Sequence, residues 1–436
     1  MSSSEKVFYN KKILIYGMGK TGFSSYNYLK KNNHISIYDD KQKALSSRKL
    51  KIKNIYQDNF DFILVSPGIN IKKCGLKNYL KKNLNKIVTD LDVFYSENSK
   101  NNIITITGTN GKSTTAKLLH EILLDHKKDS RLCGNIGNPI LSQKKISKKT
   151  MFVIEASSYQ IAYSSIFKTN YAAILNLSPD HLERHGSMKK YVDAKFKLIK
   201  NQKKKDFAFL NSRDKYLKFR IKKNKILPKI INVEPTSFKN IKKKITNRYF
   251  FSSGNQENLS FIFSIGKKLN LKNKKILKII NKFKGLKYRQ EIVYKSNKIS
   301  IINDSKATSF ASTINILKSS KKVFWIVGGI GKLGDKFNLK KEDCKNIRAY
   351  IFGKNKNFFV KKLNNKLSYK CFSDLESVVK KIKQELSKST DDFHKTILFS
   401  PAAASFDSFK NFEKRGEYFN FLIKKYKIKK ISNVQS

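Results

Sequence analysis

Acidic residues, cysteine and glycine are scarce in this chain. Asp and Glu number 32 against 92 Lys and Arg, a net charge of +60 over 436 residues. So basic a balance ordinarily points to nucleic acid or an anionic membrane, because clustered cations release counterions from phosphates. Here the lysines do not cluster. They recur through KNLNK, KKKITN, LKNKKILKIINKFK and IKKYKIKK, always mixed with Asn and Ile, as a chain-wide bias that gives solvated faces. Neither a nucleic-acid partner nor a membrane is expected, and an anionic substrate is favoured only weakly.

The four cysteines, Cys74, Cys133, Cys344 and Cys371, include no CxxC pair. That excludes a disulfide scaffold and a Cys-based zinc site, and fits a reducing compartment. Apolar runs such as VFWIVGGI fall far short of the ~20 residues of a membrane span. The opening MSSSEKVFYNKK lacks the apolar region of a signal peptide, so a cytoplasmic protein is expected. With 39% hydrophobic residues the composition is globular, and the length suggests about two or three domains.

Because glycine is scarce, its placement is informative. Eleven of the 19 glycines fall in four clusters: Gly17, Gly19 and Gly22; Gly108 and Gly111; Gly134 and Gly137; and Gly328, Gly329, Gly331 and Gly334. Glycine is needed where φ is positive or where backbone approaches a ligand.

Short β-rich runs alternate with amphipathic segments, which predicts an α/β fold with parallel sheets. KILIYG, HISIYD and FDFILVSPG form one series over residues 1–98, expected to be Rossmann-like. IITITG, FVIEAS and YAAILNLS, closed by ENLSFIFSIGKKL and KKILKIINKFKGL, form a second over 99–285. ISIINDS, VFWIVGG, RAYIFG and TILFSPAA form a third over 286–436, again Rossmann-like, ending in the helical FKNFEKRGEYFNFLIKKY.

ITGTNGKSTT lies between an apolar strand and the helical AKLLHEILL. Backbone N–H groups of a glycine turn and a helix N-terminus make an anion site there, Lys112 supplies charge at the β/γ-phosphates, and Ser113 or Thr114 can ligate Mg²⁺. It is a phosphate-binding loop, although the common spacing would place Gly where Ile106 stands. GMGKTG, with Asp39 and Asp40 ending the next strand, fits a dinucleotide fingerprint, any nucleotide diphosphate, or tight helix–strand packing. EASSYQ puts Glu155 at a strand's carboxyl end. SPDHLERHGSMKKYVDAK gathers Asp180, His181, Arg184, His185 and Lys195 after another. Mg²⁺ prefers oxygen, so Ser113 and Glu155 suit it better than His181. NDSKATS, GGIGK and SPAAASFDSFKNFEKRG place further polar residues at strand ends in the third series; each could also be a cap or turn.

Taken in order, GMGKTG, VSPG, TGTNGKST, GNIG, EASSYQ, SPDHLERHG, YVDAK, GLKYRQE, NDSKAT, GGIGK and SPAAASFDSFKNFEKRG resemble the Mur ligase family over nearly the whole chain. Its members are ATP-dependent ligases that build the peptidoglycan stem peptide, and the last motif resembles the D-glutamate-adding branch. The resemblance implies three domains, for a UDP-linked substrate, for ATP and for the amino acid. It implies that Thr21 and Gly22 lie at the diphosphate, Asp39 near the uracil, and Ser66 and Asn135 along the muramoyl arm. ATP would meet Gly108, Thr109, Asn110, Gly111, Lys112, Ser113 and Thr114, with Asn258 at the adenine and Arg289 and Asp304 also at the nucleotide. Two Mg²⁺ ions would be held by Ser113 and Glu155 and by His181, with Lys195 carbamylated by CO₂; Lys197 is the alternative if the preceding loop is one residue short. Lys306, Thr308, Lys332, Ser405 and Phe412 would receive D-glutamate. Lys112, Glu155, His181 and Lys195 would be the catalytic set. UDP-N-acetylmuramoyl-L-alanine, D-glutamate and ATP are then the expected partners of a monomer. Glu257 and Tyr288 stand where the family often has His. A folylpolyglutamate-synthase-like ligase shares the chemistry but gives no reason for the first series, and a dehydrogenase rests on GMGKTG alone.

Overall fold

A computed structural model describes residues 7–40, 52–234, 238–332, 334–389, 391 and 393–429. Three sheets form from the three series. The first sheet has its strands in the order His34–Tyr38, Lys12–Tyr16, Phe62–Val65, Ile87–Val88, all parallel. Its central runs, ILIY and ILV, are buried throughout, as in a parallel sheet covered on both faces.

The second sheet is also parallel, in the order Lys229–Val233, Phe207–Asn211, Tyr171–Ile174, Asn102–Thr107, Met151–Glu155, Ser130–Gly134. The chain leaves Asn102–Thr107 toward one edge and later returns to its other side. The carboxyl end of that strand is therefore a switch point, where open α/β sheets take ligands. The third sheet runs Glu291–Lys295, Ile299–Asn303, Lys395–Phe399, Val323–Gly328, Ile347–Phe352, Ser368–Cys371, with only the first strand antiparallel.

Six of these strands lie outside the runs recognised from hydrophobicity. Five of them, Ile87–Val88, Ser130–Gly134, Lys229–Val233, Glu291–Lys295 and Ser368–Cys371, are sheet edges. An edge strand is partly solvated, so its sequence need not be apolar: Ser368–Cys371 has no buried residue. The helices Ser253–Lys268 and Asn273–Lys282 form where the amphipathic pattern places them.

The chain divides into two compact units, residues 1–250 with 255–283, and residues 251–254 with 284–436. The first unit holds the first two sheets, and Ile13, Leu64, Phe94, Phe152 and Ile154 share one of its apolar cores. Polar pins cross the same core. Asp92 accepts the backbone amides of Ser165, Ile166 and Phe167 at 2.7, 2.8 and 3.1 Å. The Gln160 amide reaches both oxygens of Asp90 at 3.2 and 3.3 Å. Among the described residues no helix is long and apolar enough to cross a membrane.

Candidate active site

The strand Asn102–Thr107 passes through the loop 108–111 into the helix Lys112–Asp125. Gly111 is the residue before the helix, left-handed at φ 82°, and no side chain caps the first turn. The N–H groups of that turn lack intrahelical acceptors and sit at the positive end of the helix dipole, which suits a phosphate. Asn176 pins the loop: its carbonyl accepts from Thr109 N at 2.9 Å and its Oδ1 from Asn110 N at 2.8 Å. Lys112 Nζ donates to the carbonyls of Gly108 and Thr109 at 2.9 and 2.7 Å. Thr114 Oγ1 lies 3.1 Å from Tyr249 OH.

Asn258, on the helix Ser253–Lys268, faces this loop so closely that a Cβ on Gly111 would fall 2.0 Å from its Oδ1. Its Nδ2 donates to Asn255 at 3.2 Å, while the buried Oδ1 has no hydrogen-bond partner among the described residues. An unsatisfied buried acceptor beside the loop fits an amino-bearing ligand such as adenine. Glu257 points elsewhere, accepting from Asn211 Nδ2.

Glu155 closes the neighbouring strand. Ser113 Oγ donates to its Oε2 at 2.5 Å and Asn135 Nδ2 to its Oε1 at 3.1 Å. A hydroxyl and a carboxylate are hard donors, and Mg²⁺ typically takes one or two carboxylates together with substrate phosphates. Among the described residues no three His, Cys, Asp or Glu side chains converge as a metal site. The hydroxyl and carboxylate of Ser113 and Glu155 fit an ion that arrives with phosphate.

Lys195 is almost fully buried beneath the loop, its Nζ donating to Thr107 Oγ1 at 3.1 Å and Gly108 O at 2.9 Å. Burial and the Lys112 charge push its ammonium well below the ordinary lysine range, opposed only in part by Asp180 and Glu155. That shift favours the uncharged amine, the form of lysine that is a nucleophile. Lys197, on the same helix Met188–Lys200, instead donates to the carbonyls of Ala162 and Ser164.

His181 precedes the short helix Leu182–His185 in a left-handed conformation, with Asp180 at 3.4 Å, Glu183 at 3.7 Å and 38% of its side chain exposed. Next to it, His185 is buried against Ser158 Oγ at 2.9 Å, and burial, with the nearby charges of His181 and Lys195, pushes it down to about 4.

In the first sheet, Met18 N donates to Asp39 Oδ2 at 2.6 Å, and Ser66 Oγ to Gly17 O at 2.6 Å. Gly22 packs so tightly that a Cβ would lie 1.9 Å from Gly17 O, and Thr21 O accepts Ser25 Oγ at 2.9 Å. Close helix–strand approach is thus the structural role of Gly22.

The second unit holds the other candidates. Asp304 is buried, accepting from Ser400 Oγ at 3.0 Å and Gln290 N at 3.1 Å, and burial pushes its carboxyl up to about 7. Arg289 precedes Gln290. Lys306 Nζ stands 4.1 Å from the Phe412 ring centre. Ser405 is buried, whereas Thr308 and Lys332 are half-buried.

Asn176 and three further contributors lie outside the residues singled out from sequence. Thr107 Oγ1 accepts from Lys195. Tyr191 OH lies 3.0 Å from Thr109 Oγ1, and Lys195 Nζ is 4.9 Å from the Tyr191 ring centre. The i,i+4 spacing of Tyr191 and Lys195 was the available signal. Arg415, buried in the second unit, donates to the carbonyls of Ser305 and Ala403 at 2.7 and 2.9 Å.

Residues 106–275 match the Mur ligase middle domain. The UDP-N-acetylmuramoylalanine–D-glutamate ligase of Rickettsia bellii is 32% identical over 434 residues, covering 93% of this chain and 95% of that protein. The ligase of the same name from Francisella philomiragia is 33% identical over 430 residues, 96% of this chain and 99% of the relative. Among solved structures, MurF ligase from Thermotoga maritima in complex with ADP covers 98% of this chain and 100% of its own, with a TM-score of 0.57 at 14% identity. That likeness concerns the fold.

Proposed function

This chain belongs to the Mur ligase family, and from that premise we propose that it joins D-glutamate to UDP-N-acetylmuramoyl-L-alanine, converting ATP to ADP and phosphate, in peptidoglycan synthesis. The observation that carries the reading is the pair of lysines at one phosphate loop, Lys112 on it and Lys195 beneath it, beside the Ser113–Glu155 contact. We assign residues 1–98 to the UDP substrate, 99–285 to ATP and 286–436 to the amino acid, and place a monomer in the cytoplasm.

A carboxylate oxygen is too poor a leaving group for direct amide formation, so it must first be activated. The alanyl carboxylate attacks the γ-phosphate, an acyl phosphate forms and ADP leaves. The amine of D-glutamate then attacks the acyl carbon, and phosphate departs. Lys112 and the first-turn amides neutralise phosphate charge as it shifts toward ADP. Thr109, held by Asn176 and Tyr191, keeps the loop in shape. Mg²⁺ held by Ser113 and Glu155, with a second ion at His181 and a carbamylated Lys195, would supply further charge neutralisation. The uncharged form of Lys195, which its burial favours, can add to CO₂, forming an N–C bond and losing a proton, which replaces an amine with an anionic oxygen donor. In the second unit, Lys306 and Lys332 suit the two carboxylates of D-glutamate, Thr308, Ser405 and Phe412 complete its site, and Arg289 and Asp304 serve the nucleotide.

The test is phosphate release from ATP by the purified protein given UDP-N-acetylmuramoyl-L-alanine, with D-glutamate compared against L-glutamate and other amino acids, and the amide identified by mass. Release that does not depend on D-glutamate would sink the reading.

A further inference from the structure

Arg184 is a buried cation that the reaction above does not use. Only 9% exposed, it holds its guanidinium 3.6 Å from the centre of the Tyr159 ring. Nη1 donates to Pro67 O at 2.6 Å, Nη2 donates to Ile69 O, and Nε has no acceptor among the described residues. Burying a charge against neutral carbonyls costs stability that an apolar side chain would not. A positional role explains why a cation stands there.

Its contacts run to two parts of the site. On one side the loop 66–69 is tied to the Gly17 turn, since Ser66 Oγ donates to Gly17 O at 2.6 Å and Ile69 N to Ser66 O at 3.0 Å. On the other side the Tyr159 ring stacks on His185 at 5.3 Å and meets His181 at 5.0 Å. Arg184 lies in the same short helix that His181 precedes. Lysine could not replace it: a planar fork reaches two carbonyls while its central carbon sits over a ring, and an ammonium does not.

We propose that Arg184 is a positioning residue for the ligation, a brace that fixes the loop 66–69 of the sugar-nucleotide side to the His181 turn, so that the acceptor carboxylate meets the γ-phosphate in line. The proposal rests on the ligase reading. It deepens that reading by giving the substrate loop and the His181 turn a shared support that does not touch the phosphate loop.

The test uses the full chain with Arg184→Lys, Arg184→Met and, as a variant that keeps the charge, Tyr159→Leu. In-line alignment lost by about 1 Å costs about 100-fold. Arg184→Met should therefore lower kcat about 100-fold and Arg184→Lys nearly as much, while KM for ATP stays within about twofold. Tyr159→Leu should give a smaller loss of the same kind. Hydrogen exchange at the Ile69 amide should speed up at least tenfold in both Arg184 variants, with amides of the helix Lys112–Asp125 unchanged. Full kcat in Arg184→Lys, or a loss shared equally with KM for ATP, would overturn the brace. If the unaltered protein forms no amide, the ligase reading falls, and unchanged Ile69 exchange in the variants would then remove the brace as well.

Discussion

Substituting Gly111 with Ala tests how the phosphate loop is built. At φ 82° an added Cβ meets Asn258 Oδ1 at 2.0 Å, its Cγ at 2.8 Å and its Nδ2 at 3.0 Å. Left-handed backbone costs a non-glycine residue roughly 1–2 kcal/mol. The Asn258 side chain must also retreat by about 1 Å or more before the contact becomes an ordinary one. The strain should lower Tm by about 1–3 °C. The displacement should lower kcat/KM for ATP about 100-fold, the cost of a misplacement of that size near reacting groups. Steady-state kinetics with ATP varied, together with thermal unfolding of the same samples, read both effects. Gly19→Ala is the control, because an added Cβ there has nothing within 4 Å and φ is −70°. Adding Asn258→Ala to Gly111→Ala removes the collision and should cost less than the sum of the single changes. Strict additivity, or unchanged kcat/KM for ATP in Gly111→Ala, would refute the claim that glycine is required by this contact.

Other outcomes are expected from the same geometry. Lys112→Ala should abolish turnover, read as phosphate release. Lys195→Ala should lose Mg²⁺-dependent activity while binding of the UDP substrate, measured by calorimetry, stays within about threefold; a normal rate would end the carbamate assignment. Lys332→Ala and Ser405→Ala should raise KM for D-glutamate more than KM for ATP, and an effect confined to ATP would displace them. Asp304 makes a pH prediction. Its carboxyl is pushed up to about 7 from an ordinary 3.8, so the folded chain binds more protons between those values. The stability it contributes is therefore complete below about pH 4 and lost as pH rises through about 7, a change of about 4 kcal/mol at most. Thermal unfolding of Asp304→Asn between pH 5 and 8 should show a flatter profile than the unaltered chain.

The phosphate loop was readable because its chemistry is local. A strand, a glycine turn and a helix start are contiguous in the chain, so Gly108, Gly111, Lys112 and Ser113 declare themselves without knowledge of the fold. The same holds for most central strands, whose runs must be apolar because helices cover both faces, although the buried Phe207–Asn211 was not among the runs read. Edge strands such as Ser368–Cys371 did not show, since half-solvated backbone imposes no hydrophobic pattern. Nor did partnerships between distant segments. Ser113 meets Glu155 across 42 positions, Lys195 meets Thr107 across 88, and Arg184 meets Pro67 across 117. Nor did the packing of Gly22 against Gly17 O, or the hydrogen bond from Ser66 to the same carbonyl.

Residue order alone thus established which groups carry charge, which turns need glycine and which runs become strands, because these depend on neighbours along the backbone. Packing determined which of those groups face one another, and so which lysine is pushed furthest toward the uncharged amine. Lys195 and Lys197 are alike as letters two positions apart. One lies under the phosphate loop and the other at the end of the helix Ser158–Tyr163, because helix periodicity turns them to different neighbours and burial then sets their chemistry.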